Sequence, residues 1–416
     1  CKLRQKEAGP EKAAAPHAQA GRRQAGRDRS RRQMDYQTIY KEKQRTLEQC
    51  LAVIKSGDFV VLGAAASAPN ATLNALHTIA PRVEDVTVFS GLEGSFPFQT
   101  DPAMYGHITS GGIMFGAGLR AGAKVGNSTY CPGNLHDVLI RRMEVCPPDV
   151  FVCAVTPMDE HGQVQIPLSL MFEMEAMEQA KTVIFEVDPN LPRTCGMVDV
   201  SIERADYVVE VDYPICTIPS PEIGPVERTI GEYVASLIHD GDCIQLGIGA
   251  MPNAVAEALR DKRDLGLHTE MFTSAMGELI RAGVITGERK NFNKGRHVGV
   301  FALGDQALYD TLAQDPRTYM VRASYGNDPA VIARNDNMVS VNTTLEMDLT
   351  GQACSESIGS MQFSGTGGAT DYAYGAMHSK GGRGILAFPS TAKHGTVSKI
   401  KTQLTLGAVV SISRNL

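Results

Sequence analysis

One pattern restricts the fold of this 416-residue chain more than any other: the same unit is written twice. In the first copy a helical stretch ends at Ile54, Ser56-Gly57-Asp58 turns the chain, and Phe59 to Leu62 forms an apolar run. Gly63-Ala64-Ala65-Ala66-Ser67-Ala68-Pro69 then leads into a helix near 69 to 80. In the second copy Ile230 to Ile238 is helical, Asp240-Gly241-Asp242 turns, and Cys243 to Leu246 is the apolar run. Gly247-Ile248-Gly249-Ala250-Met251-Pro252 leads into a helix at 253 to 260. Strand, small-residue turn and helix in that order build parallel sheets. The repeat predicts an α/β protein of two tandem, related, open domains with largely parallel sheets, and a site in the cleft between them.

The remaining elements fit this frame. Residues 36 to 54 are amphipathic with Thr46 as a cap, and further strand-length runs occur at Val86 to Phe89, Val150 to Val155, Thr182 to Glu186 and Tyr207 to Val211. Between Ile215 and Pro225, the prolines at 219, 221 and 225 remove backbone donors and forbid helix. The expected domains are therefore 34–218 and 226–416.

Composition narrows the function. Hydrophobic residues make up 43% and charged residues 21%, which is globular usage. No apolar run reaches the roughly 18 residues of a membrane-spanning helix, so no membrane anchor is expected. Trp is absent, aromatics are 6% and the net charge is −6, which argues against nucleic acid as a partner. Nine Cys show neither CxxC pairs nor zinc spacing, so they read as core thiols of a cytoplasmic protein without a metal site.

The charge is unevenly placed. Residues 1 to 33 hold ten Lys/Arg against three Asp/Glu, a balance of +7, so the other 383 residues carry −13. With Leu3 as its one large apolar residue, this leader is expected to be disordered. It begins at Cys1, and the first Met is Met34. It reads as sequence upstream of the native start, with an Arg-rich transit peptide and a nucleic-acid arm as the other readings.

Two segments carry chemistry. Gly247 to Pro252 departs from the dinucleotide fingerprint, because Pro252 stands where a third Gly is needed and no acidic ribose ligand ends the next strand. Gly247 and Gly249 instead allow backbone N–H groups to approach an anion or a thioester oxygen, the bland alternative being a tight structural turn. Gly266 to Glu270 reads as a short strand, followed by a capped helix from about 275 to 282. This places Glu270 at the carboxyl end of a parallel strand, where open α/β sheets keep their chemistry. An ordinary surface glutamate is the alternative.

At these residues the chain resembles the acetyl-CoA hydrolase/transferase group of class I coenzyme A transferases. The matching motifs are GIGAMPNAV at 247–255, HTEM at 268–271, NDN and VSVN between 335 and 342, SESIG at 355–359, SGTGGATDY at 364–372 and SKGGRGILAFPST at 379–391. In the first half, FGAGLRAGAKVG at 115–126 and EVDPNLPRTCG at 186–196 belong to the same pattern. The likeness spans Met34 to the end, where relatives continue beyond Asn415, so further residues are expected after Leu416.

The resemblance implies a glutamate nucleophile, matched by Glu270, that carries coenzyme A as a thioester while CoA passes between a short-chain acyl-CoA and a carboxylate such as acetate. Butyryl-, 4-hydroxybutyryl- and propionyl-CoA are the candidate donors. No permanent cofactor is implied, and the partners are these small molecules and further copies of the chain in a homo-oligomer. A glutamate with a reference pKa of about 4.3 is expected to be ionised without a helper base. Oxyanion and coenzyme contacts fall to Gly247, Ile248, Gly249, Ala250, Met251, Asn342, Gly365, Gly367 and Gly368. His268 reads as structural, Glu356 as a loop anchor, Asp159 to Gly162 as a β-turn, and Lys380, Arg383, Lys393, Lys399 and Lys401 as candidate phosphate contacts. A hydrolase using the same thioester, and a non-enzymatic ligand sensor, are the competing readings.

Overall fold

The computed structural model describes residues 35–92 and 94–416, so the leader at 1–33 and its predicted disorder lie outside the described residues. The apolar runs become strands of two parallel sheets. The first comprises β1 (Phe59–Leu62), β2 (Val86–Phe89), β3 (Ile108–Gly112), β4 (Ser128–Tyr130), β5 (Val150–Val155), β6 (Thr182–Val187) and β7 (Tyr207–Glu210). Its order is β4-β3-β2-β1-β5-β6-β7, with every pair parallel. All six residues of β5 are buried, as an unbroken apolar run covered on both faces requires.

The second sheet comprises β8 (Cys243–Leu246), β9 (Gly266–Phe272), β10 (His297–Ala302), β11 (Thr318–Met320), β12 (Met338–Asn342) and β13 (Arg383–Leu386). It runs β11-β10-β9-β8-β12-β13, again all parallel. Counted from the first strand of each sheet, both follow the order 4-3-2-1-5-6, and the first sheet adds a seventh strand. The repeat in the sequence is thus a repeat in topology, in two tandem α/β halves.

Local chemistry adjusts several expected boundaries. The helix predicted over 36–54 is two helices, Tyr36–Lys43 and Leu47–Leu51, because Thr46 and Gln49 form a reciprocal capping box that starts a new helix. The helix after β8 runs Ala250–Ala258 and so begins three residues before the expected position. Pro252 falls in its first turn, where the missing N–H would have had no intrahelical acceptor. Pro225, the last of the boundary prolines, opens the helix Pro225–Ser236 at its first position.

Backbone bonds tie the two halves together. Leu170 N–H donates to Val300 O at 3.0 Å and Ala302 N–H to Leu168 O at 2.9 Å. Met197 N–H donates to Met320 O and Met320 N–H to Cys195 O, both at 2.8 Å. One hydrophobic cluster includes Phe151 and Phe185 from the first half and Leu267, Phe272 and Tyr309 from the second. Surfaces joined by both ladder bonds and shared core hold the cleft between them at a set width. Among the described residues no helix is long and apolar enough to cross a membrane, and no group of His, Cys, Asp and Glu is arranged to hold a metal.

Candidate active site

The strand order of the second sheet reverses at β8, between β9 on one side and β12 on the other, and such a switch point leaves a crevice at the carboxyl ends of the strands. β9 pairs with β8 only at Cys243 and Ile244, then continues to Phe272, two residues past its expected end. Its upper part, still paired with β10 but no longer with β8, borders the crevice and carries Glu270. His268 and Glu270 alternate onto the same side of the strand. His268 is fully buried, and its Nε2 donates to Gly326 O at 2.9 Å. Burial, reinforced by the charge of Lys290, lowers its pKa to about 3, so it is a neutral structural contact.

Glu270 is partly exposed and lines the crevice. Asn327 Nδ2 donates to its Oε2 at 2.8 Å, and the backbone amide of Gly368 also donates to it. Gly368 precedes the helix Ala369–His378, so the carboxylate lies at a helix N-terminus. Burial nonetheless pushes its pKa up to about 7; the charge of Asp371 adds to the rise, while Asn327 and Gly368 oppose it. This corrects the expectation of a glutamate already ionised at neutral pH: about half is protonated at pH 7. A poorly solvated carboxylate near this pKa is a better nucleophile than one fully hydrated in water.

A cavity of about 230 Å³ opens over this carboxylate. The first half contributes Leu92, Met114, Leu135 and Met171 to its wall. The second contributes Gly247, Ile248, Glu270, Phe301, Leu303, Asn342 and the loop Gly365 to Gly368. Close packing explains the glycines of that loop. A Cβ on Gly365 would lie 2.3 Å from Ile113 O, and Gly367 has φ +55° while its carbonyl accepts from Leu135 N–H at 3.0 Å.

Seven of the predicted site residues therefore border one cavity: Glu270, Gly247, Ile248, Asn342, Gly365, Gly367 and Gly368. Three do not line it. Gly249, at φ +118°, borders a smaller neighbouring recess, and Ala250 and Met251 open the helix, with Met251 turned into the core. Glu356 serves its loop: its carbonyl accepts from Phe363 N–H and Ser364 N–H, and its carboxylate from Tyr130 O–H at 3.3 Å. Asp159 to Gly162 forms a turn closed by Gly162 N–H on Asp159 O at 3.1 Å.

The basic residues divide. Arg383 begins β13 at the amino-terminal edge of the sheet, opposite the crevice, and engages Leu237 O and Asp242. Lys380 lies beside it, 3.9 Å from Asp336. Neither is placed to meet a ligand in the cavity. Lys393, Lys399 and Lys401 follow β13 on the crevice side of the strand direction, Lys399 lying over the Phe388 ring.

Residues without a motif of their own complete the site. Asn327 is one, at the end of a short helix after β11. Gln245, on β8, exchanges side-chain hydrogen bonds with Asn342 at 3.3 and 3.4 Å and so sets its amide orientation. Asp371 lies inside the SGTGGATDY segment and was open to inspection there, whereas His136 and Asn327 carry no local signal.

Comparison with known proteins gives the family. Residues 28–219 match the acetyl-CoA hydrolase/transferase N-terminal domain, and residues 304–416 match the acetyl-CoA hydrolase/transferase C-terminal domain. The 4-hydroxybutyrate coenzyme A transferase of Clostridium kluyveri is 38% identical over 390 residues, covering 92% of this chain and 89% of that protein. The succinyl-CoA:cyclohexane-1-carboxylate CoA transferase of Geobacter metallireducens is 37% identical over 380 residues, covering 91% and 87%. Among solved structures, RipA from Yersinia pestis superposes with a TM-score of 0.84 at 34% identity, covering 92% of this chain and 89% of that one. The fold and site define an α/β enzyme of the coenzyme A transferase class. The chain belongs to the acetyl-CoA hydrolase/transferase family.

Proposed function

We propose that this enzyme moves coenzyme A between a short-chain acyl-CoA and acetate or a related acid, with Glu270 as the temporary CoA carrier. The ionised carboxylate attacks the acyl-CoA carbonyl, forming a mixed anhydride and releasing CoA thiolate. The thiolate then attacks the glutamyl carbonyl, which frees the donor acid and leaves a glutamyl-CoA thioester. The acceptor carboxylate repeats these steps in reverse. Every bond broken is replaced by one of similar energy, so no nucleotide is consumed.

The observation that carries this reading is the position of the Glu270 carboxylate, on the floor of the cavity between the halves and against the Gly365–Gly368 loop. The oxyanion of each tetrahedral intermediate is assigned to amides of that loop and of Ile248, one such donor being worth roughly 100- to 1000-fold, whereas the Gly247 N–H is engaged by Val341 O at 3.1 Å. Asn342, held by Gln245, is assigned to the coenzyme arm. The cavity is smaller than the roughly 300 to 1,000 Å³ of drug-sized pockets and has apolar walls, which suits a short acyl chain with the nucleotide part of CoA outside. Butyryl-, 4-hydroxybutyryl- and propionyl-CoA fit that description.

We further read the protein as a cytoplasmic homo-oligomer without a permanent cofactor. The buried thiols of Cys50, Cys153, Cys243 and Cys354 support a reducing setting, and the exposed Val226 and Tyr233 of helix Pro225–Ser236 support self-association. Mass spectrometry after incubation with acetyl-CoA tests the central claim. The expected result is CoA attached to the peptide containing Glu270, absent in Glu270→Gln; attachment elsewhere, or unchanged transfer by the folded variant, defeats it. Acyl-CoA loss equally fast with and without a carboxylate acceptor would make the enzyme a hydrolase.

A further inference from the structure

Glu270 is the end of a polar network that crosses to the first half. Asn327, fully buried, donates through Nδ2 to Glu270 at 2.8 Å, and its side chain also favours the charged form of the neighbouring Asp371 carboxylate. Asp371 is 1% exposed and lies in the first turn of helix Ala369–His378. It accepts from His136 Nδ1 at 2.8 Å and from the His136 backbone N–H at 3.3 Å. His136 comes from the first half, next to Leu135, whose N–H bonds the Gly367 carbonyl.

Two enclosed carboxylates thus flank one amide side chain, and one of them is hydrogen-bonded to a histidine that is a cation when protonated. Two carboxylates this close repel when both are ionised, unless a cation offsets one of them. The Asn327 Oδ1 is buried without a partner among the described atoms, a cost accepted only if both N–H groups are held outward by anions. The other ionisable neighbours do not replace His136. Tyr372 O–H donates to the Gly326 carbonyl that also receives neutral His268. His136 Nε2 lies 3.6 Å from Asp137, itself engaged by Arg141, and Asp328 adds a further negative charge nearby. The hydrogen bond to Asp371 foremost holds the imidazole above its ordinary pKa, consistent with this acidic surround.

We propose that His136 is a positioning residue for Glu270: as an imidazolium it keeps Asp371 ionised, and Asp371 keeps the Asn327 amide turned N–H first toward the CoA-accepting carboxylate. The site is then complete only when the first half delivers His136 to the second. This rests on the reading of Glu270 as CoA carrier.

The test is the pH dependence of butyryl-CoA:acetate transfer by the full chain and by His136→Gln and Asp371→Asn, with mass spectrometry of the CoA adduct in each. His136→Gln removes the cation while retaining a donor, so the acid limb of kcat/KM moves up by about one pH unit, with activity near pH 7 down about fivefold and recovering at pH 9. Asp371→Asn removes the like charge, so the limb moves down. Opposite displacements support the network. An unmoved limb in His136→Gln, or equal losses at every pH in both variants, overturns it even if the adduct forms normally. Absence of the adduct in the unaltered protein overturns the carrier reading itself, and this inference with it.

Discussion

A Cβ atom on Gly368 would fall 1.7 Å from Oε2 of Glu270 and 2.1 Å from Nδ2 of Asn327. No side chain fits there without displacing the carboxylate from the amides that hold it. Gly247, on the opposite side of the cavity, is different: its nearest neighbour would be the Pro252 ring at 3.7 Å, an ordinary contact. Gly368→Ala is therefore expected to lower kcat by about 100-fold or more, while Gly247→Ala folds and keeps most of its turnover. Transfer assays with circular dichroism of both variants check this contrast, and equal effects would remove the special role given to the 365–368 loop.

Activity should follow the ionisation of a single carboxylate with an elevated pKa. With Glu270 pushed up to about 7, kcat/KM rises with pH and reaches half its plateau near pH 7. A well-solvated glutamate would place that midpoint near pH 4. A profile flat from pH 5 to 8 would contradict the burial assigned to this group.

The same displacement acts on stability, with a definite sign. The folded-state pKa is raised above the ordinary 4.5, so protonated Glu270 favours folding below that pH, and this contribution is lost as pH rises through about 7. Glu270→Gln cannot ionise and escapes the loss. It is expected to be more stable than the parent at pH 8 by on the order of 2 kcal/mol and nearly equal to it at pH 4.5. Thermal unfolding at the two pH values decides this; a constant difference would show that the carboxylate is solvated.

Asn327→Ala removes the charge-assisted hydrogen bond to Glu270, an interaction of about 1.5 to 3 kcal/mol. Transfer at pH 7 should fall about tenfold or more, and the acid limb should move upward by about one to two pH units. A loss independent of pH would mean that Asn327 matters only for packing.

Chain-length preference belongs to the wall supplied by the first half. Met114 borders the cavity and approaches the Gly367 Cβ position to 3.7 Å. Met114→Ala enlarges this wall, and the kcat/KM ratio of hexanoyl-CoA to butyryl-CoA should rise about tenfold, in line with 1 to 3 kcal/mol per methylene. An unchanged ratio would move the acyl group elsewhere.

Local information carried much of this protein. The runs Phe59 to Leu62, Val86 to Phe89, Val150 to Val155 and Cys243 to Leu246 are strands at those limits, because an uninterrupted apolar run between polar turns has one stable destination, a parallel strand covered on both faces. Glu270 was legible as a carboxylate near the carboxyl end of a short strand, which runs two residues further to Phe272. Helix starts were less so: Pro252 and Pro225 look like barriers in a string of letters, yet the first turn of a helix tolerates both.

Sequence alone determined the duplicated α/β plan, since it depends on neighbours close in the chain, and the family resemblance named Glu270 as the residue for the proposed chemistry. Tertiary structure alone decided the surroundings of that residue. Asn327 lies 57 positions from Glu270 and His136 lies 235 positions from Asp371, and no periodicity links such pairs. The elevated pKa of Glu270 has the same origin, because desolvation is imposed by whatever the folded chain packs around a group and not by the residues beside it.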